Sequence, residues 1–296
     1  MQNTLASEQN LALWKYKTGS SCVLCGEQQP PSLIHVLNCC TVALKQGRYT
    51  MRHDSVLACL EPALRRQLDA INTKSIRIPD GKIRFVKEGA APRKELSNSS
   101  FRPSPPSDPF TRLLGRHRDW QLLVDLAGSP SSYSVMPPQI AAFSGRPDFI
   151  VYSESGKIVL FAELTIPSPT GISAAERRKL LRYKDLAQAC QPGWKCFLRT
   201  VEVSSLGFLG VNMHMFLKSM FLPKYEARQL KADMENVVRR CSYYVFLSRQ
   251  THEWAGPAYL HPTGTPKSAG APETSGTKNQ AVTPSNTGPP LSSSTF

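Results

Sequence analysis

The sequence is short of acidic residues, of long apolar runs and of a hydrophobic leader. Asp and Glu number 22 against 36 Lys and Arg in 296 residues, giving a formal net charge of +14. That shortage disfavours a cationic partner and favours a polyanion such as nucleic acid. The longest apolar runs, such as Ile158–Ala162, are strand-sized, well below the roughly 20 residues of a membrane helix, so no membrane partner is expected. The opening MQNTLASEQNLALWKYKTG has no apolar core of the secretory kind, and the expected context is intracellular. Disulfides are then a poor use for the eight cysteines, and metal ligation a better one. No internal repeat is visible. With 41% hydrophobic residues the chain can bury one ordinary core and a small satellite.

Four segments separate by composition. Residues 1–88 hold a cysteine and histidine cluster, a helical stretch around RHDSVLACLEPALRRQLDAI, and the basic strand-like piece KIRFVK. Residues 89–109 are rich in Pro and Ser and poor in periodic apolar positions, as a linker is. Residues 110–253 carry the main alternation of strand and helix signals. Residues 254–296 have too little apolar content to offset the entropy of ordering and are expected to be disordered.

In SCVLCGEQQPPSLIHVLNCC, Cys22 and Cys25 stand at CxxC spacing, followed by His35 and the pair Cys39 and Cys40. Two thiols, a loop, then a His and a Cys about one helical turn apart supply the closed tetrahedral set of a structural zinc site. Helical geometry favours Cys39, four residues after His35, over Cys40, five residues after it. Four protein ligands leave no open position for catalysis, so the zinc would stabilise folding.

The segment RPDFIVYSESGKIVLFAELT places Asp148 at the start of one apolar run and Glu163 near the end of the next. A hairpin turning at Ser155 and Gly156 sets Tyr152 opposite Val159 and Asp148 opposite Glu163. Two facing carboxylates repel unless a cation lies between them, and a hard divalent ion, magnesium above all, suits oxygen ligands. A surface hairpin with an Asp-capped turn would show the same residues. A helix follows, expected to open with a Ser173 and Glu176 capping box and to run through AAERRKLLRYKDLAQAC. Its apolar face takes in Leu180, Tyr183, Leu186, Ala187 and Cys190, and Lys179 falls within that face. Lys179 therefore points at the sheet, where a cation can stabilise charge on an attacked phosphate.

The stretch HVLNCCTVALKQGRYTMRHDSVL combines Arg48, Tyr49, Arg52 and His53 in a basic, aromatic segment suited to phosphate contact and base stacking, or to a helix start capped by Asp54. Together with RPD at Arg146–Asp148, ELT at Glu163–Thr165, Pro167, Lys179 and Tyr183, it resembles the C-terminal region of site-specific non-LTR retrotransposon polyproteins. That resemblance covers about residues 10–60 and 117–210. It implies a CCHC zinc knuckle using Cys22, Cys25, His35 and Cys40, and a restriction-like PD-(D/E)XK endonuclease. The expected fold is α/β, a mixed sheet flanked by helices, with a separate zinc module and a disordered tail. Catalytic roles fall on Asp148, Glu163, Lys179 and Tyr183, with magnesium on the two carboxylates. Arg48, Tyr49, Arg52, His53 and Arg146 are nucleic-acid contacts. Double-stranded DNA is the implied substrate, the element's own RNA a further partner, and the nucleus the place of action. Glu163 lacks the usual Lys two residues on, and Ser204, Ser205 and Leu206 stand where the family tends to have Gly, Cys and Arg. No polymerase motif is present. The alternative is a decayed or domesticated protein that binds nucleic acid without cutting it.

Overall fold

The computed structural model describes residues 5–16, 21–27, 30–73, 108–254 and 256. The strand-like piece at 82–87, nearly all of the expected linker and the tail beyond Gly256 lie outside the described residues. Met1–Thr263 make one compact unit, and the second, Gly264–Phe296, lies wholly outside the described residues.

In chain order the first unit contains α1 (Glu8–Leu13), a π-helical turn (His35–Cys39), α2 (Thr41–Lys45), α3 (Arg48–Thr73) and α4 (Pro109–Leu114). Then come β1 (Trp120–Val124), β2 (Phe149–Ser153), β3 (Ile158–Thr165), α5 (Ile172–Arg182), α6 (Leu186–Ala189) and β4 (Lys195–Glu202). Two helices, α7 (Val211–Ser219) and α8 (Lys224–Leu247), close the unit. The strands form one sheet in the order β1-β2-β3-β4, antiparallel except for the parallel pair β3 and β4. A parallel pair needs a crossover, which α5 and α6 supply. The chain is therefore mixed α/β, a four-stranded mixed sheet flanked by helices, as the sequence led us to expect. No helix among the described residues is long and apolar enough to cross a membrane.

Strands β2 and β3 are buried at every position, because helices cover both faces of the sheet and the strands read as unbroken apolar runs. On one face Phe149, Val151, Leu160 and Ala162 share a core with Leu57, Leu60 and Leu64 of α3, Phe216 of α7 and Met234 of α8. On the other, Ile150, Tyr152, Val159 and Phe161 share one with Tyr183 and Leu186. The apolar stripe of α3 runs Val56, Leu57, Leu60, Leu64, Leu68 and Ile71, the spacing of a helix with one buried side. Burying each such side chain stabilises by roughly 1.5–3 kcal/mol. A third, small core joins Leu33, Val36 and Leu37 to Val245 and Phe246 of α8. The boundary drawn after residue 88 is thus a boundary in composition, whereas packing runs across it.

Two local expectations change. The helix after β3 starts at Ile172 with Gly171 at its N-cap, because a 3-10 turn at Pro169–Gly171 feeds straight into it; Ser173 lies inside the first turn and makes no cap. The helix also stops at Arg182, Tyr183 taking a non-helical ψ of 14°, and resumes as α6. Leu180, upstream of the break, and Ala187, beyond it, are exposed rather than on the sheet side.

Candidate active site and metal centre

The hairpin adopts the register read from the sequence: Tyr152 opposes Val159 and Phe149 opposes Ala162. Asp148 and Glu163, one step beyond that last pair, consequently lie side by side. Each carboxylate accepts a hydrogen bond from the other's strand end. The Asp148 N–H donates to Glu163 Oε2 at 3.2 Å, and the Leu164 N–H donates to Asp148 Oδ2 at 2.7 Å. Both side chains are buried, Asp148 at 6% exposure and Glu163 at 2%. Burial, then the neighbouring Asp148 charge, raises the Glu163 carboxyl above its ordinary range, opposed by Lys179.

Lys179 reaches Glu163 Oε1 from α5 and forms an ion pair with it, the inward orientation that helical periodicity gave. Tyr183 is buried four residues on, and its hydroxyl donates to the Arg146 carbonyl at 3.1 Å, tying α5 to the loop that precedes Asp148. Burial, with Glu163 nearby, raises the Tyr183 phenol. Arg146 itself is exposed, 3.5 Å from Asp125 Oδ1.

Asp125 is a site residue that the sequence reading missed. Val124 opposes Phe149, so Asp125 stands next to Asp148 at the end of the adjoining strand, and its N–H donates to the Asp148 carbonyl at 3.0 Å. Burial raises its carboxyl, and the Asp148 charge adds to the shift against Arg146. The available signal was an Asp closing the apolar run WQLLV, as Asp148 opens the next. Three carboxylates thus run across the sheet in one row: Asp125, Asp148, Glu163.

His53 also joins this row. Its Nε2 lies 3.3 Å from Asp148 Oδ2 and its Nδ1 3.1 Å from Asp54 Oδ1. Both ring nitrogens face carboxylates, which is the environment of an imidazolium. Burial alone would lower this histidine, but the two carboxylates outweigh it and raise the pKa to about 10. Asp54 caps no helix start, because α3 begins at Arg48.

Arg48, Tyr49 and Arg52, read as nucleic-acid contacts, turn inward at the start of α3. Arg48 is 0% exposed; it donates to the Ser248 and Thr251 carbonyls, each at 2.6 Å, and lies over the Trp254 ring. Arg52, 1% exposed, donates to Ser242 Oγ and the Leu37 carbonyl. The Tyr49 hydroxyl donates to the Val36 carbonyl at 2.9 Å and accepts from the Cys40 N–H at 3.1 Å. Phosphate contacts at the surface are not open to the two buried guanidinium groups as they stand. Their part is to pin the cysteine segment and α3 to the end of α8.

The ligand atoms of Cys22, Cys25, His35 and Cys40 all lie within 4.8 Å of one another, a set that can hold a metal such as zinc. Cys39 is exposed and outside it. Residues 35–39 are π-helical, with the Cys40 N–H donating to the His35 carbonyl at 2.9 Å, so the residue five positions on takes the place that four would have in an α-helix. Burial lowers His35, favouring the neutral imidazole that a metal requires. Burial, with the Cys22 and Cys25 charges adding to it, pushes Cys40 up to about 11, a repulsion that a central cation reverses. No protein-family model matches the chain, and no curated protein matches it.

Proposed function

We propose that the chain is a metal-dependent DNA endonuclease of the restriction-like PD-(D/E)XK kind, stabilised by zinc on Cys22, Cys25, His35 and Cys40. The observation that carries this reading is the buried pair Asp148 and Glu163, held side by side with the Lys179 ammonium against them. Hard carboxylate oxygens that repel one another suit a hard cation such as magnesium. When bound, such an ion polarises a phosphoryl oxygen and acidifies a water. The chain's own part is positional: Leu164 N–H and His53 fix the rotamer of Asp148, and the strand pairing fixes Glu163. Lys179 takes the place of the Lys absent from Thr165 and brings positive charge to where the attacked phosphate gains negative charge. Arg146, Arg177, Arg178 and Arg182 are exposed around this end of the sheet and α5, where they can meet the phosphates of double-stranded DNA. The origin in a non-LTR retrotransposon, the element RNA as a second partner and action in the nucleus rest on the sequence resemblance.

A binding-only reading is favoured by one position. Where the family tends to have Arg, Leu206 packs against the small core of Leu33, Val36 and Phe246, so this stretch offers no cation to a substrate. Supercoiled plasmid incubated with magnesium or with chelator separates the two. Nicking only with magnesium is expected. Salt-sensitive DNA binding without nicking would establish the binding-only protein, and binding indifferent to salt would remove nucleic acid altogether.

A further inference from the structure

A cavity of about 280 Å³ opens beside the carboxylate row, between the start of α3 and the C-terminal end of β3. Thr50, Arg52, His53, Thr165, Ile166 and Lys179 are among its lining residues, and no carboxylate is. A single water needs only ~10–15 Å³ on the same measure, so the space admits a larger group. Two buried polar atoms on lining residues have no hydrogen-bond partner: Arg52 Nε and Thr165 Oγ1. The remaining guanidinium nitrogens of Arg52 are occupied by Ser242 and Leu37, which fixes the group in place. Buried polar atoms are rarely left unmatched, because doing so costs free energy that an apolar side chain of the same shape would not. Valine would fill the Thr165 position on β3 equally well, so the hydroxyl is the part of this side chain that a ligand could use.

We propose that this cavity is a subsite for a phosphate of the substrate backbone, next to the phosphate under attack. The proposal rests on the nuclease reading and names which chain atoms hold the neighbouring nucleotide. Thr165 follows Glu163 by two positions on one strand face, a step of roughly 6.6 Å, comparable to the spacing of successive phosphates in a strand. Lys179 belongs to both sites, lining the cavity and pairing with Glu163. The available groups are the Lys179 ammonium and the Thr165 hydroxyl, both donors to a tetrahedral oxyanion. A turn of the Thr165 side chain would bring its enclosed hydroxyl onto such a ligand, while Arg52, held by Ser242 and Leu37, lends its positive charge from behind.

The test is Thr165→Val, which keeps the side-chain shape and removes the unmatched hydroxyl. A short fluorescein-labelled DNA duplex, titrated in chelator so that nothing is cut, should bind about five- to tenfold more weakly. Thr165→Ser should bind like wild type, and thermal unfolding of Thr165→Val should be unchanged or raised. Inorganic phosphate should compete with the duplex less well in Thr165→Val than in wild type. Wild-type duplex affinity in Thr165→Val overturns the subsite, even where magnesium-dependent nicking stands. Weakened binding by Thr165→Val in a protein that never nicks keeps the subsite and removes the nuclease.

Discussion

Asp148 and Glu163 are cross-linked through each other's strand: the Asp148 N–H donates to Glu163 at 3.2 Å, while the residue after Glu163 donates to Asp148 at 2.7 Å. Each carboxylate is thereby oriented by the backbone that carries its neighbour, and the pair stays together without relying on a flexible loop.

Replacing either partner by its amide should therefore abolish cleavage without loosening DNA. Asp148→Asn and Glu163→Gln are expected to lower magnesium-dependent nicking by on the order of a hundredfold or more. Duplex affinity in chelator should stay level or rise, since a negative charge near phosphate is lost. Gel-resolved nicking and fluorescence anisotropy give the two readouts, and wild-type nicking by either variant would refute the assignment.

Between the adjacent thiols, only Cys40 belongs to the metal cluster. Purified Cys39→Ser should retain about one equivalent of zinc and Cys40→Ser should not. A zinc chelator should lower the melting temperature of wild type and of Cys39→Ser alike. Zinc retained by Cys40→Ser and lost by Cys39→Ser would reverse the choice.

His53 makes stability depend on pH in a defined direction. Its pKa is raised on folding from 6.5 to about 10, so its contribution is complete below about 6.5 and disappears as pH climbs through about 10. In magnesium-free buffer, wild type should lose stability over that window relative to His53→Gln, as followed by urea unfolding at a series of pH values. An imidazole NMR titration with a midpoint at or below 6.5 would contradict the arrangement.

Arg48→Ala should cost roughly 2–4 kcal/mol, from charge-assisted hydrogen bonds and the Trp254 stacking it removes. Chemical denaturation measures this. The salt dependence of DNA binding should not change, and a slope reduced by about one would make Arg48 a phosphate contact after all.

The hairpin and its register were legible because strand alternation and a Ser-Gly turn are local signals; the inward aim of Lys179 followed from helical periodicity. Most of what escaped had non-local causes. Asp125 and His53 meet Asp148 only after β1 pairs with β2 and α3 packs on the sheet, steps that no short window of sequence contains. The burial of Arg48 and Arg52 depends on acceptors about 200 residues away, the Ser248 carbonyl and the Ser242 hydroxyl. Cys40, which the resemblance gave, takes the ligand position because residues 35–39 are π-helical, a departure that α-helical spacing does not foresee. Ser173 carried a valid capping pattern that the upstream 3-10 turn pre-empted.

Because α3 buries Leu57, Leu60 and Leu64 against the sheet and, one turn earlier, sets His53 beside Asp148, the chain does not divide where its composition does. A truncated protein beginning at Asp108 would keep β1 to β4 yet bare an oily slab of the sheet to water. It would be sticky and hard to purify, and silent in an assay for reasons unrelated to its catalytic residues. Anyone dissecting the molecule should cut before the cysteine segment or leave the two halves joined.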